Sequence, residues 1–370
     1  MPDLAVVGGG PAGLAVAIAA RKAGFSVVVV ERARPPVDKA CGEGLMPSGK
    51  AALERFGVVL PPQQARPFRG IRYISSEDGG RTVAEGQFPD GVGIGIRRTV
   101  LHGVLARRAE ELGAVLHWGA RVTGLSPDGP LVGSDVLDAR WIVGADGLHS
   151  MVRRWARLEG PPARRRRYGL RRHFAVAPWS DHVEVYWTAG AEAYVTPVGE
   201  NEIGVALLRG PAELHFDEML GRIPKLAERL AGAAPTSEVR GAGPFHQRTR
   251  GVCRGKVALV GDASGYLDPI TGEGVALAFR QAEALVRALE QGDLMAYASA
   301  HARVVAGYRR VTELLMFLQR HDRLRIRAIR ALGDAPDVFS RMLAVHDGAL
   351  PPSALGAGGL ARLAWGMVRA

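Results

Sequence analysis

Glycines at positions 8, 10 and 13 are the first residues whose spacing could do chemistry. The segment Gly8-Gly9-Gly10-Pro11-Ala12-Gly13 follows the apolar run 4–7 and opens a helical pattern over 11–24, with Leu14, Ala15, Ile18 and Ala19 on one face. Each glycine has its own task in such a loop. Gly8 allows the tight turn, Gly10 lets backbone approach a pyrophosphate, and Gly13 lets the helix pack close to the strand. The phosphates then meet free N–H groups and the positive end of the helix dipole. A second β-branched run, 26–30, ends at Glu31, at about the ~20-residue spacing expected of an acid that accepts ribose hydroxyls. Strand, glycine loop, helix and acid together predict a dinucleotide site. The loop alone does not choose between FAD and NAD.

Two distant segments carry further polar residues at the ends of apolar runs. The first is Trp141-Ile142-Val143-Gly144-Ala145-Asp146-Gly147, continuing to Arg153. The second is Val260-Gly261-Asp262-Ala263, followed by Asp268-Pro269-Ile270-Thr271-Gly272-Glu273-Gly274. They resemble the "DG" and "GD" motifs and the flavin-ring loop of the FAD-dependent hydroxylase family, which includes p-hydroxybenzoate hydroxylase, the flavin halogenases and the geranylgeranyl reductases. The resemblance covers residues 4 to about 290. It implies FAD as cofactor, held by Gly8, Gly10, Pro11, Ala12, Gly13, Glu31 and Arg32. It places Arg98 near the phosphates or ribose, Val122 and Asp146 on the nucleotide side, and Gly261 and Asp262 near the ribityl hydroxyls. Pro269, Gly272, Glu273 and Gly274 would lie at the ring, with N–H groups placed to stabilise charge on reduced flavin. Asp146 and Arg98 also have plainer readings, as a helix cap and a surface ion-pair residue. No second glycine-rich unit is present, so NAD(P)H is expected as a transient reductant, or a separate reductase serves.

The resemblance divides over the reaction. Halogenases carry Trp-x-Trp-x-Ile-Pro in a substrate-domain strand. The matching segment is Glu192-Ala193-Tyr194-Val195-Thr196-Pro197, with neither tryptophan. The segment Ala40-Cys41-Gly42-Glu43-Gly44 resembles the Cys-Gly segment of the geranylgeranyl reductases and would bring Cys41 and Gly42 to the ring. The same loop, read as Gly42-x-Gly44-Leu45-x-Pro47, also fits the aromatic hydroxylases. The sequence reading favours a monooxygenase acting on a hydrophobic aromatic or isoprenoid substrate. The alternative is an ene-reductase, with halogenation third and a flavin-binding protein without turnover as the non-enzymatic reading. In each redox case the cofactor does the hard step and the protein shapes the cavity. His173, His182, Tyr186, Tyr194 and His246 could line that cavity. Tyr194 is the candidate catalytic residue and substrate contact.

These residues must be positioned by an α/β fold: a Rossmann-like FAD-binding domain, an antiparallel β-sheet substrate domain and a C-terminal helical segment. The expected FAD domain is discontinuous, 1–66, 96–160 and 245–300. The substrate domain takes 67–95 and 161–244, and the C-terminal helices 301–370. A period of two appears in Val183, Val185 and Trp187 against Glu184 and Tyr186, and a period near 3.6 along 99–112 and 274–290. A helix over 213–230 is expected to break at Pro224, and Ser48 is expected to cap the helix that starts after Pro47. The 370 residues and 47% hydrophobic content suffice for two joined domains. Two cysteines, Cys41 and Cys253, make no metal spacing or disulfide framework. The net charge of +11 comes without a basic-aromatic module, so no nucleic-acid partner is expected. The expected partner is a small hydrophobic substrate in a cytoplasmic protein. Eight arginines between residues 301 and 330, and the apolar end 360–369, also suit docking at a membrane edge. The arginines at 164–167 read as a solvated run. The sequence does not fix an oligomeric state.

Overall fold

The computed structural model describes residues 1–162, 166–210 and 215–369. Its first layer is a six-stranded sheet. The order is Cys253–Arg254, Val257–Leu259, Trp141–Gly144, Leu4–Val7, Val27–Glu31 and Val115–Trp118. All pairs are parallel except the first. Leu4–Val7 and Trp141–Gly144 are buried at every position, as expected of a parallel sheet with both faces covered. The helices Pro11–Lys22, Arg98–Glu111 and Gly274–Glu290 contribute Leu14, Ile18, Leu105, Phe279 and Leu285 to the same core.

The second layer is a seven-stranded sheet. Its order is Arg240–Ala242, Tyr168–Phe174, Glu202–Arg209, Ala191–Gly199, His182–Thr188, Gly70–Ser75 and Val83–Gln87. It corrects the expected antiparallel sheet at one place: His182–Thr188 pairs parallel to Gly70–Ser75. The chain reaches those two strands on separate excursions, so no hairpin fixes their direction. Alternation holds across this sheet. Val183, Val185 and Trp187 face Ile270 and the C-terminal helices. Tyr186 faces the helices Phe216–Gly221 and Pro224–Arg229. The break before Pro224 is present, while Glu213 and Leu214 lie outside the described residues.

A small sheet of Gly44–Leu45, Gly93–Ile96 and Ala65–Phe68 joins the layers. Gly95 is required there. A Cβ on it would sit 1.7 Å from the Pro197 carbonyl oxygen.

The helix Leu294–Gln319 runs through the expected boundary at residue 300. Three of its side chains fasten it to the nucleotide layer. Tyr297 donates to Leu259 O (2.9 Å), His301 Nε2 contacts Ser264 Oγ (2.9 Å), and Tyr308 donates to Asp268 O (2.7 Å). Helices Asp322–Gly333, Pro336–Asp347 and Gly356–Arg369 complete the chain.

Candidate cofactor and active site

The nucleotide end is built as the glycine spacing requires. Gly8 has φ +110°, and a Cβ there would lie 2.4 Å from Ala145 O. A Cβ on Gly13 would lie 1.8 Å from Gly8 O. The helix Pro11–Lys22 begins at Gly10 with Pro11 first and no side-chain cap, so its leading N–H groups are left for a phosphate. Pro11 is buried and Ala12 half-buried. Gly10 is open apart from one guanidinium nitrogen of Arg98, 3.6 Å from its Cβ position. The buried Arg98 Nε has no hydrogen-bond partner. A phosphate held there would give that nitrogen an acceptor. Glu31 accepts from Gly9 N (2.8 Å) and Ala33 N (2.9 Å), which fixes its carboxylate at the strand end. Arg32 is exposed, and Val122 is half-buried beside Val7, Ile142 and Val152.

The two aspartate motifs are joined by Arg153, a fully buried arginine. It donates to Leu148 O (2.9 Å), Ala263 O (3.1 Å) and Gln247 Oε1 (3.2 Å). Ser150 is the N-cap of the helix Met151–Trp155, and Asp146 braces that start, accepting from Met151 N (2.7 Å), Val152 N (3.1 Å) and Ser150 Oγ (2.5 Å). Asp262 is half-buried. Burial raises its pKa, against Arg98, Lys39 and Arg153. Gly261 has φ +64°, with a virtual Cβ 2.7 Å from Ala12 Cβ, so the two cofactor loops touch.

Residues 269–274 form the loop expected at the ring end. Gly272 takes the left-handed conformation and the helix Gly274–Glu290 follows. Pro269 is half-buried on this loop, and the Glu273 carboxylate turns inward toward His346 and Arg280. Cys41 and Tyr266 keep accessible surface, while burial is the largest cause of their raised pKa values. Gly42 has open space at its Cβ position.

One strand of the substrate sheet grips both loops. Along Ala191–Gly199, alternate residues Glu192, Tyr194 and Thr196 point at the cofactor layer. Thr196 Oγ1 donates to Gly42 O (2.7 Å). The Tyr194 hydroxyl lies 2.9 Å from Ile270 O and 2.8 Å from Glu192 Oε2. Glu192 and Asp268 share Arg167, at 2.9 and 2.8 Å. Arg167 therefore corrects the solvated reading of its run: two buried acids hold it. Arg164 and Arg165 lie outside the described residues. Of the other cavity candidates, His182 contacts Asp181 (2.7 Å), His246 lies 3.3 Å from Arg248, and Tyr186 donates to Glu184 on the opposite face of the sheet.

Sequence reasoning missed the role of Glu43. This non-glycine residue has φ +60° and is nearly fully buried. Its carboxylate meets His173 Nε2 at 2.5 Å and accepts from Arg98 N at 2.8 Å. His173 Nδ1 faces Ser237 Oγ (2.8 Å) and Arg171 (3.1 Å), and Arg171 is paired with Asp38. Glu43 thus ties its own loop, residues 41–44, to the start of the Arg98 helix and to the substrate sheet. Its flanking glycines were the available signal. Glu43→Ala is expected to cost about 3–5 kcal/mol by leaving this network unpaired. Glu43→Gly should cost about 1 kcal/mol less, because glycine tolerates the left-handed backbone. Urea denaturation of both variants measures the difference.

The geometry meets its relatives here. Residues 2–292 match the family model described as an FAD binding domain. The chain belongs to that FAD-binding family. It is an FAD-dependent oxidoreductase. The menaquinone reductase of Mycobacterium tuberculosis (strain H37Rv) is 29% identical over 318 residues, covering 79% of this chain and 77% of that protein. The para-nitrophenol 4-monooxygenase of Pseudomonas sp. (strain WBC-3) is 30% identical over 321 residues, covering 78% of each. A flavoprotein/dehydrogenase structure from Cytophaga hutchinsonii superposes with a TM-score of 0.83 at 20% identity, over 95% of this chain and 94% of that one.

Proposed function

We propose that this flavoprotein reduces a carbon–carbon double bond in a lipophilic, isoprenoid-bearing substrate, with NAD(P)H as the external reductant. The observation that carries the reading is how the candidate bases of the substrate sheet are held. Burial raises the pKa of Cys41, Tyr194 and Tyr266 above values that already keep such groups protonated at neutral pH, so these three do not decide between the reactions. The substrate-sheet histidines that could act as bases are occupied and buried: His173 against Glu43, His182 against Asp181. Bound FAD supplies hydride chemistry. The chain supplies the rest. The Pro11 and Gly274 helix starts orient phosphate and ring, Glu43 and Thr196 hold the Cys41–Gly44 loop, and the apolar wall of Val183, Val185, Trp187 and Phe339 excludes water. A hydride added to one alkene carbon is balanced by a proton on the other. Tyr266 and Cys41, which keep accessible surface, are the groups we assign to deliver that proton and to recover it from solvent.

This reverses the order favoured by sequence alone, because hydroxylation of a phenol is helped by a base that deprotonates it. Hydroxylation stays the second reading, supported by the 30% identity to the para-nitrophenol 4-monooxygenase over most of both chains. The test is mass spectrometry of a polyprenyl quinone incubated with holoenzyme and NADPH, anaerobically and in air. A gain of two hydrogens located in the prenyl chain, and kept after the quinol is reoxidised to the quinone, supports reduction of the double bond. A gain of one oxygen atom, seen only in air, overturns it in favour of hydroxylation.

A further inference from the structure

The C-terminal helix Gly356–Arg369 is attached to the protein by its narrowest side. Gly359 is its one buried residue among those described. Gly366 lies on the same side, where a Cβ would come within 2.9 Å of Ala331 Cβ. The outer arc carries Leu360, Ala361, Ala364, Trp365 and Val368. Leu360, Trp365 and Val368 are 54%, 57% and 73% exposed. Arg362 and Arg369 stand at the edge of that arc, and no acidic residue occurs after Asp347.

Beneath that edge lies a cavity of about 730 Å³. Arg81, Arg330, Arg362, Arg369, Asp334 and Trp365 line it. Arg362 also reaches Asp337 (3.0 Å), and the Arg369 guanidinium lies 4.4 Å from the Trp365 ring centre. Four arginines line the cavity with Asp334, and Asp337 is bound to Arg362, so the lining keeps a positive excess that suits an anion. The volume falls within the few-hundred to 1,000 Å³ typical of ligand sites.

We infer that this helix docks on an anionic phospholipid membrane, with its apolar arc in the interfacial layer and a lipid phosphate in the arginine cavity. Apolar outer arc, interfacial tryptophan and flanking arginines are what a helix lying in the plane of a bilayer requires. A second copy of the chain fits worse. A two-fold contact through this helix would bring both sets of arginines together. Nucleic acid would pair with the arginines and leave Leu360 and Val368 unused.

The inference does not depend on the reaction proposed above, since its readout is lipid binding. Holoenzyme is sedimented with vesicles of phosphatidylcholine alone, and with vesicles containing phosphatidylglycerol. Binding is expected with the anionic vesicles only. Leu360→Asp/Val368→Asp and Arg81→Glu/Arg369→Glu should each weaken it at least tenfold, with flavin absorbance and melting temperature unchanged. Three results would overturn the inference. One is no sedimentation with either lipid, or equal sedimentation with both. Another is saturation of the cavity by inorganic phosphate with no vesicle binding. The third is a dimer in light scattering that Leu360→Asp/Val368→Asp dissolves.

Discussion

Gly13→Ala is expected to give a protein that purifies without yellow colour and binds added FAD roughly 100-fold more weakly, about 2.8 kcal/mol. The new methyl group would lie 1.8 Å from Gly8 O, 3.1 Å from Gly8 C and 3.3 Å from Val6 Cγ1. Two of those atoms are backbone and cannot rotate away. The helix must slide outward instead, and its N-terminus leaves the pyrophosphate position. The same slide disturbs Gly8, already at φ +110° and against Ala145 O, so the "DG" segment moves too. Gly103→Ala is the matched control. Gly103 is inside the helix Arg98–Glu111 with nothing within 4 Å of its Cβ position. That variant should gain up to about 1 kcal/mol from helix propensity and keep its flavin. Titration of each apoprotein with FAD, followed by fluorescence, reads both effects. Wild-type affinity in Gly13→Ala would remove the nucleotide from this loop.

Legibility in the sequence followed range along the chain. The glycine loop, the acid at Glu31 and the helix over 274–290 are local patterns, and the structure places each where its spacing predicts. The two aspartate motifs were readable by resemblance, yet their link through Arg153 was not, since its acceptors Gln247 and Ala263 lie 94 and 110 residues on. Ser48 illustrates the failure physically. The chain cue was a cap before a helix, but the helix Pro47–Phe56 starts one residue earlier, at Pro47. Ser48 instead donates, through Oγ and N, to Asp347, 299 residues away. Arg167 failed for the same reason. An arginine run reads as solvated until the acids at 192 and 268 are folded around it. The grip of Glu192, Tyr194 and Thr196 was readable in principle, as a polar period of two along one strand.

The second large effect concerns Glu273, on the ring loop but turned inward. The residue is 2% exposed. Oε2 lies 3.1 Å from His346 Nε2 and Oε1 3.6 Å from Arg280. Burial pushes its pKa up to about 8 despite Arg280, and Asp347 adds to the rise. His346 is pushed down to about 4, by burial first and Arg280 second. At neutral pH the folded protein therefore holds a protonated Glu273 beside a neutral imidazole. An unfolded glutamate ionises near pH 4.5. Between about pH 4.5 and 8 the native state binds the extra proton, so the contribution of Glu273 to stability falls as pH rises and levels off above 8. His346 has the opposite slope, between about pH 4 and 6.5, and partly masks it. Burial also raises the pKa of Asp347, and its bonds to Ser48 persist in both proteins compared. Glu273→Gln keeps the shape and removes the titration. The variant should match the wild type near pH 5 and exceed it by pH 8. The gap has an upper bound of roughly 4–5 kcal/mol at 1.36 kcal/mol per pKa unit. Guanidinium denaturation of both proteins from pH 5 to 9 measures it. A gap that stays constant over that range would mean Glu273 is already ionised in the native protein, with Arg280 as its counter-ion. The inward carboxylate would then sit as a fixed negative charge behind the start of the helix Gly274–Glu290. There it would oppose the helix dipole at the ring end instead of leaving it free to stabilise negative charge.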